Sequence, residues 1–196
     1  MAFVIPVPST PVVPVTDSDA QFPVRRIYCV GRNYADHARE MGGNPDREPP
    51  FFFGKPSDAV VPLGGDIAYP PLTSNLHHEV ELVVALGGGG RDIPVEKALA
   101  CVYGYAVGID LTRRDLQAKF KEKGQPWEMA KGFDQSAPVS ALMPVTRCGH
   151  PSAGAIWLSV DGLDRQRGDL AQMTWNVAEV IAHLSAFVML APGDLI

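Results

Sequence analysis

The amino-acid sequence predicts a mixed α+β domain in which strands dominate. Three observations support this fold class. Short apolar runs of strand length recur along the chain, turn residues separate these runs, and the helix signals do not alternate with strands as a doubly wound sheet requires. With 196 residues, 46% of them hydrophobic, the chain is long enough for one globular domain with an appended segment.

The beginning of the chain differs from the rest in its proline content. Residues 1–24 are rich in proline and contain the turn-like segment "TDSDA". Proline is confined to edge strands and turns, because it cannot donate to a ladder of backbone hydrogen bonds. We therefore predict that residues 1–24 form an extended lead-in and that residues 25–196 form the main domain.

The main domain contains short strands with short helices interspersed, and their boundaries are recognisable. The strands are predicted at residues 25–31, 78–86 and 103–110, with short strands separated by turns within residues 49–61 and 64–70, and a hairpin at 155–169. The helices are predicted at residues 33–43, 94–102, 112–123 and 177–190. The hairpin turns at Asp161-Gly162, a dipeptide typical of two-residue turns. Two residue pairs have the spacing of a capping box, Thr112 with Asp115 and Asn176 with Glu179. They predict that helices start at Thr112 and at Asn176.

The charge and cysteine content exclude several classes of protein. The formal net charge is −5, and the lysines and arginines are scattered among acidic residues, which argues against a nucleic-acid partner. The sequence contains no uninterrupted apolar run long enough for a transmembrane helix. The cysteines are odd in number and far apart, so neither a disulfide framework nor a zinc site is indicated. We predict a cytoplasmic protein that acts on a small molecule.

Two carboxylates stand two positions apart in the predicted strand 78–86. Side chains alternate between the faces of a strand, so Glu79 and Glu81 point the same way. In the strand 103–110, Asp110 shares its face with small residues only, which leaves space beside it. Three carboxylates without histidine or cysteine suit a hard ion such as Mg²⁺ or Mn²⁺. The alternative is that Glu79 and Glu81 lie on the solvent-exposed face of an edge strand.

Further groups could take part in catalysis. His37 and Glu40 are three residues apart, hence neighbours on one face of the predicted helix 33–43, and an imidazole backed by a carboxylate can act as a general base. The alternative is a solvent-facing pair. Lys131 lies in the mainly apolar stretch "PWEMAKGF", where an ammonium group needs a partner, unless it extends to the surface.

Several motifs together resemble the fumarylacetoacetate hydrolase family, and specifically its acylpyruvate and fumarylpyruvate hydrolase branch. In chain order these motifs are "YCVGRNYADHAREMG", "FFFGKPSDAV", "LHHEVELVVALG", "YGYAVGIDLTRRDLQ" and "GQPWEMAKGFDQSAPV". The resemblance extends from about residue 25 to residue 196. It implies the β-roll or sandwich of the family's C-terminal domain with short helices, and a homodimer.

The resemblance also implies roles for individual residues. It makes Glu79, Glu81 and Asp110 the ligands of Mg²⁺ or Mn²⁺, and it makes His37 and Glu40 the dyad that activates water. By the same resemblance Lys131 stabilises the developing enolate with Gln117 as a hydrogen-bonding partner. By the same resemblance Arg114 binds the substrate. Arg113 and Arg32 are further candidates, because a guanidinium group can bind the distal carboxylate of fumarylpyruvate in bidentate fashion; the alternative is that Arg113 is solvated. Lys55 is expected to fix a turn, and His77 and His78 are expected to be hydrogen-bonded neighbours of the site.

The implied reaction is the metal-dependent hydrolysis of the C–C bond of a 2,4-dioxo acid. The favoured substrate is fumarylpyruvate, which gives fumarate and pyruvate in aromatic catabolism through gentisate. The alternatives are an acylpyruvase, an oxaloacetate decarboxylase, an isomerase of the same family, and a non-catalytic member that only binds metal. In the family, a Gly- and Thr-rich loop and further strands follow the point that corresponds to "APGDLI", so the domain is expected to be incomplete at its C-terminus.

Overall fold

The fold was examined in a computed structural model, which describes residues 2–34, 48–62 and 64–196. Within these residues the strands are β1 (Val12–Pro14), β2 (Gln21–Pro23), β3 (Arg26–Gly31), β4 (Phe51–Lys55), β5 (Val60–Pro62), β6 (Leu76–Leu86), β7 (Val102–Arg113), β8 (Ala137–Val139), β9 (Met143–Pro144), β10 (Ala155–Val160), β11 (Leu163–Asp169) and β12 (Asp194–Leu195). The α-helices are α1 (Val95–Ala98), α2 (Arg114–Glu122), α3 (Glu128–Lys131), α4 (Val145–Cys148) and α5 (Val177–Phe187). Short 3₁₀ turns lie at Ser57–Ala59, Leu99–Cys101 and Leu170–Gln172.

A large mixed sheet forms the body of the protein. Its strands lie in the order β4-β3-β12-β6-β7-β8-β5, and β9 pairs with β7 beside β8. The pairs β3–β12 and β5–β8 are parallel, and the long pair β6–β7 is antiparallel. The predicted mixed α+β class, rich in strands, is therefore confirmed.

Apolar side chains cover both faces of this sheet. The alternation of β6 sends Ala85 to one face and Val84 to the other, and both side chains are buried. On the first face, Val13 and Phe22 of the β1–β2 hairpin pack against the sheet. On the second face, Ile181 of α5 packs against it. The proline-rich lead-in thus contributes side chains to the hydrophobic core.

The hairpin forms where the sequence places it, and the last predicted helix starts at the predicted residue but ends at Phe187, three residues early. The short strand predicted at residues 64–70 does not form. β10 and β11 pair antiparallel, and Asp161 and Gly162 both have positive φ, at 52° and 75°, as the predicted turn requires. Helix α5 starts with the predicted reciprocal cap, in which the Asn176 side chain accepts from the Glu179 amide and the Glu179 carboxylate accepts from the Asn176 amide.

The predicted start of the helix at residues 112–123 is wrong by two residues. Thr112 is fully buried as part of β7, where it pairs with His77 of β6, so it does not cap the helix. Helix α2 instead starts at Arg114 without a side-chain cap. The Asp115 carboxylate accepts hydrogen bonds from the Thr73 hydroxyl and the Ser74 amide, at 2.6 and 3.0 Å. Extended pairing with β6 therefore overrides the local capping signal.

Most of the predicted helix at residues 33–43 lies outside the described residues, as do His37 and Glu40. In the described part of the chain, no helix is long and apolar enough to span a membrane.

Candidate active site

The pairing of β6 with β7 brings the predicted metal ligands together. Glu79 lies directly opposite Asp110 in the ladder, and Glu81 lies opposite Gly108. All these side chains point to one face, because Glu79 and Glu81 are two positions apart and Asp110 and Gly108 are two positions apart. One carboxylate oxygen from each of Glu79, Glu81 and Asp110 lies within 4.8 Å of the others. We call these residues the carboxylate cluster.

Two of the small residues that share the face of Asp110, Gly104 and Gly108, are in close contact with other parts of the protein. A Cβ atom at Gly108 would lie 2.6 Å from a methyl group of Val83, and one at Gly104 would lie 2.4 Å from the carbonyl oxygen of Met143. Other atoms of the protein therefore occupy the positions that side chains would take at both glycines. The space beside Asp110 is the cavity described below, whose lining includes Asp110 but neither of these glycines.

Lys131 lies at the end of α3 and contacts the carboxylate cluster directly. Its Nζ atom donates to Asp110 Oδ2 at 2.6 Å and to Glu79 Oε2 at 2.7 Å, and the residue is 2% exposed. Burial lowers the pKa of this ammonium, but Asp110 and Glu79 outweigh burial and leave the pKa raised. Lys131 is therefore a cation shared by two carboxylates, and not a surface lysine.

Lys55 contacts the carboxylate cluster, a position that sequence reasoning did not predict. Its Nζ atom lies 2.8 Å from Asp110 Oδ1 and donates to the backbone carbonyl oxygens of Leu111 and Lys131. It is a second buried cation at the cluster, and the expectation that it fixes a turn is wrong. The signal was present in "FFFGK", since a lysine that continues an apolar strand needs a buried partner.

The predicted residues Arg114 and Gln117 belong to the same site. Arg114 donates to Glu79 Oε1, and its other terminal nitrogen donates to Gln117 Oε1. Gln117 is buried beneath it. Burial raises the pKa of the Glu79 carboxyl, but Lys131 and Arg114 outweigh burial, so the pKa is lowered and Glu79 is held ionised.

The predicted substrate arginines do not all reach the site. Arg32 lines the cavity described below, with its guanidinium carbon 5.8 Å from the centroid of the Phe51 ring. Arg113 points elsewhere: its guanidinium carbon lies 4.4 Å from the centroid of the Phe133 ring, and it donates to the carbonyl oxygen of Met129 at 2.9 Å. The structure thus places Arg113 in packing against α3 and the residues after it.

A cavity of about 1140 Å³ opens above the carboxylate cluster. Phe51, Phe53 and Trp127 form an aromatic wall, with the Trp127 ring 5.4 Å from that of Phe51 and 6.0 Å from that of Phe53. The β10–β11 hairpin contributes the opposite side. His77 and His78 also line the cavity, but no hydrogen bond joins either imidazole to another described residue. The cavity is large enough for a small organic acid.

The carboxylate cluster has the features of a site for a hard divalent cation. Among the described residues, Glu81 has no ion-pair or hydrogen-bond partner, and burial together with the charge of Asp110 raises its pKa to about 8. Asp110 Oδ1 accepts no hydrogen bond from the described residues, although the Lys55 ammonium lies close to it. A bound cation would neutralise both groups, and carboxylate oxygens are the ligands that Mg²⁺ and Mn²⁺ prefer. The residues present therefore fit such an ion.

A family model of the fumarylacetoacetate hydrolase C-terminal domain matches residues 26–196 of this chain. The chain belongs to the fumarylacetoacetate hydrolase family. Proteins with solved structures that are similar to this chain include a fumarylpyruvate hydrolase and a protein provisionally named an isomerase.

Members of the fumarylacetoacetate hydrolase family with solved structures are closely similar to this chain. A fumarylpyruvate hydrolase from Pseudomonas aeruginosa, crystallised with Mn²⁺ and pyruvate, is 55% identical with a TM-score of 0.96, and the match covers 99% of this chain and 85% of that one. A Burkholderia cenocepacia protein provisionally named a fumarylpyruvate hydrolase is 59% identical with a TM-score of 0.93, covering 100% and 84% of the two chains.

A family member of another activity is also similar. A mitochondrial oxaloacetate tautomerase from Mus musculus is 45% identical over 172 residues, which is 88% of this chain and 77% of the relative. Hydrolases and tautomerases thus both occur among the similar proteins of the family.

Proposed function

We propose that the protein is a metal-dependent hydrolase that cleaves the C–C bond of a 2,4-dioxo acid, with fumarylpyruvate as the favoured substrate. The observation that carries the proposal is the carboxylate cluster with the shared Lys131 ammonium at the base of a cavity. The 55% identity to a fumarylpyruvate hydrolase supports the choice of substrate, since it exceeds the 45% identity to the oxaloacetate tautomerase.

In this proposal, Glu79, Glu81 and Asp110 hold a Mg²⁺ or Mn²⁺ ion. When bound, the ion supplies a Lewis acid for the 2-keto acid end of the substrate. Lys131 lies between Glu79 and Asp110, so its ammonium faces the same end of the substrate. A fixed positive charge in a buried site stabilises negative charge that develops on the keto oxygen.

The hydrolytic step needs an activated water molecule. We assign this role to His37, oriented by Glu40; both lie outside the described residues, and the assignment rests on the sequence motif. His37 takes a proton from water as the oxygen attacks the C4 carbonyl carbon. The C3–C4 bond then breaks, its electron pair passes to C3 to give the enolate of pyruvate, and C4 becomes the carboxyl carbon of fumarate. Protonation at C3 completes pyruvate.

The arginines differ in the roles that their positions allow. Arg114 contacts the carboxylate cluster, and Arg32 lines the cavity, so both can meet a carboxylate of the substrate. Gln117 holds the Arg114 side chain in place. We therefore assign substrate binding to Arg32 and Arg114.

A second candidate is the tautomerisation of oxaloacetate, favoured by the 45% identity to the mouse tautomerase. This reaction moves one proton between carbon and oxygen and breaks no C–C bond. It uses the same metal and the same lysine but needs no attacking water. Hydrolysis and tautomerisation therefore differ in their products.

Product analysis distinguishes the two candidates. The purified protein, loaded with Mn²⁺, is incubated in turn with fumarylpyruvate, acetylpyruvate and oxaloacetate, and pyruvate and enol content are followed over time. We expect the highest kcat/KM for pyruvate release from fumarylpyruvate, and loss of this activity in EDTA. Conversion of enol to keto oxaloacetate without pyruvate release from any dioxo acid would establish the tautomerase instead.

A further inference from the structure

Gln166, in the middle of β11, makes two hydrogen bonds to one residue of β6. Its side-chain oxygen accepts from the backbone N–H of Val80 at 2.7 Å, and its side-chain nitrogen donates to the backbone carbonyl oxygen of Val80 at 2.9 Å. Val80 stands between Glu79 and Glu81 of the carboxylate cluster. The contact joins the β10–β11 hairpin to the strand that carries these two carboxylates.

The position of Val80 in the ladder explains why this contact is needed. In an antiparallel pair, the backbone groups of alternate residues point toward the partner strand and away from it. The N–H and carbonyl of Val84 pair with Ile196, on the side of β6 away from β7. Val80 is four positions from Val84 and so points the same way. The short strand β12 pairs with β6 at Ala85 and does not extend along β6 as far as Val80. The Gln166 side-chain amide therefore takes the place that a residue of a neighbouring strand would occupy beside Val80.

The contact constrains the direction of both glutamates. The Val80 N–H belongs to the peptide plane that joins it to Glu79, and the Val80 carbonyl belongs to the plane that joins it to Glu81. Fixing both planes fixes the directions in which the two side chains leave the strand. Val80 is 5% exposed, so loss of the contact would leave two buried backbone groups without partners and favour a local shift of the strand.

We propose that Gln166 is a positioning residue that aligns Glu79 and Glu81 for metal binding. The inference rests on the proposed function, because it takes the carboxylate cluster to be a metal site. When a side chain that orients metal ligands without touching the metal is removed, metal affinity typically falls by about 10–100-fold.

The test compares the unchanged protein with Gln166→Met and Gln172→Met. Methionine keeps the length of glutamine and removes both amide groups. Gln172 is a matched control, because its side chain accepts from the Asp169 amide at 2.7 Å and, among the described residues, makes no hydrogen bond to β6. Mn²⁺ affinity is measured by calorimetry, and hydrogen exchange of the Val80 amide is measured in metal-free protein.

We expect Gln166→Met to weaken Mn²⁺ binding by about tenfold or more and to speed exchange of the Val80 amide. Gln172→Met should change neither quantity. If Gln166→Met lowers the unfolding temperature but keeps both Mn²⁺ affinity and Val80 protection, Gln166 only anchors the hairpin and the inference is overturned. If the unchanged protein binds no Mn²⁺, the metal site of the proposed function is overturned and this inference fails with it.

Discussion

The shared ammonium of Lys131 allows a prediction about stability and metal binding together. Lys131→Met removes a cation that lies 2.6 Å from Asp110 and 2.7 Å from Glu79. Removing one partner of a buried ion pair costs about 3–5 kcal/mol, because the remaining charge stays buried without compensation. Here Asp110 keeps Lys55 and Glu79 keeps Arg114. We therefore place the loss at the lower end, about 3 kcal/mol in the metal-free protein.

This loss should be visible in thermal unfolding. For a chain of this size, 1 kcal/mol corresponds to about 2–4 °C, so we expect the midpoint of metal-free Lys131→Met to fall by about 6–12 °C. Lys119→Met is the control, since Lys119 is exposed on α2. Its midpoint should change by less than the equivalent of about 0.5 kcal/mol.

Addition of Mn²⁺ should reduce the difference in unfolding midpoint between Lys131→Met and the unchanged protein. A cation that binds only the folded state stabilises it by about 2.7 kcal/mol at a hundred times its dissociation constant. In Lys131→Met this cation replaces the lost ammonium as the neutralising charge, so the gain should exceed that of the unchanged protein. The reasoning would be refuted if the variant and the unchanged protein had the same unfolding midpoint in EDTA. It would also be refuted if the difference between their midpoints were the same with and without Mn²⁺.

Three further predictions concern individual residues. The double variant Glu79→Ala/Glu81→Ala should lose Mn²⁺ binding and activity, and retention of bound metal would contradict the ligand assignment. His37→Ala should keep Mn²⁺ binding and lose pyruvate release more than tautomerisation, since only hydrolysis needs an activated water; equal loss of both reactions would assign His37 another role. Arg113→Ala should lower the unfolding midpoint and leave KM unchanged, whereas Arg114→Ala should raise KM; steady-state kinetics on fumarylpyruvate check both, and the reverse order would place Arg113 in the substrate site.

The carboxylate cluster could be predicted from sequence because its geometry follows from local rules. The alternation of a strand places Glu79 and Glu81 on one face whatever the rest of the fold does. The strand pattern suggested Asp110 as a third ligand but left the alternative open, since its position opposite Glu79 depends on the register of β6 with β7. The motif resemblance supplied that assignment. The pairing of β6 with β7 also determines where α2 begins, because it keeps the residues before Arg114 in β7. Its two-residue error arose because Thr112 is held in the ladder by β6, a contact that no local capping signal contains.

Lys55 and Gln166 could not be placed from sequence because their contacts are distant along the chain. Lys55 reaches the Leu111 carbonyl across 56 positions, and Gln166 reaches Val80 across 86. A lysine in an apolar strand signals that a buried partner exists, but not which one. A glutamine in a hairpin carries no comparable signal, since most exposed hairpins contain polar residues. Both residues act by satisfying charges or backbone groups on strands formed by other parts of the chain.

The charges at the site lead to a last prediction, about the coupling between metal binding and substrate binding. Three carboxylates, Glu79, Glu81 and Asp110, are formally balanced by the cations Lys55, Lys131 and Arg114. A divalent cation alone would leave an excess of positive charge at a largely buried site, which is unfavourable.

An anionic 2-keto acid removes that excess, so metal and organic acid should each strengthen the binding of the other. Linkage requires the two effects to be equal, and couplings of this kind are typically about 5–150-fold. We expect pyruvate to tighten Mn²⁺ binding in calorimetry by a factor within this range, and Mn²⁺ to tighten pyruvate binding by the same factor. Acetate, which has the carboxylate but no keto oxygen, serves as the control and should have a smaller effect. An unchanged Mn²⁺ affinity in saturating pyruvate would show that the charge balance does not couple the two sites.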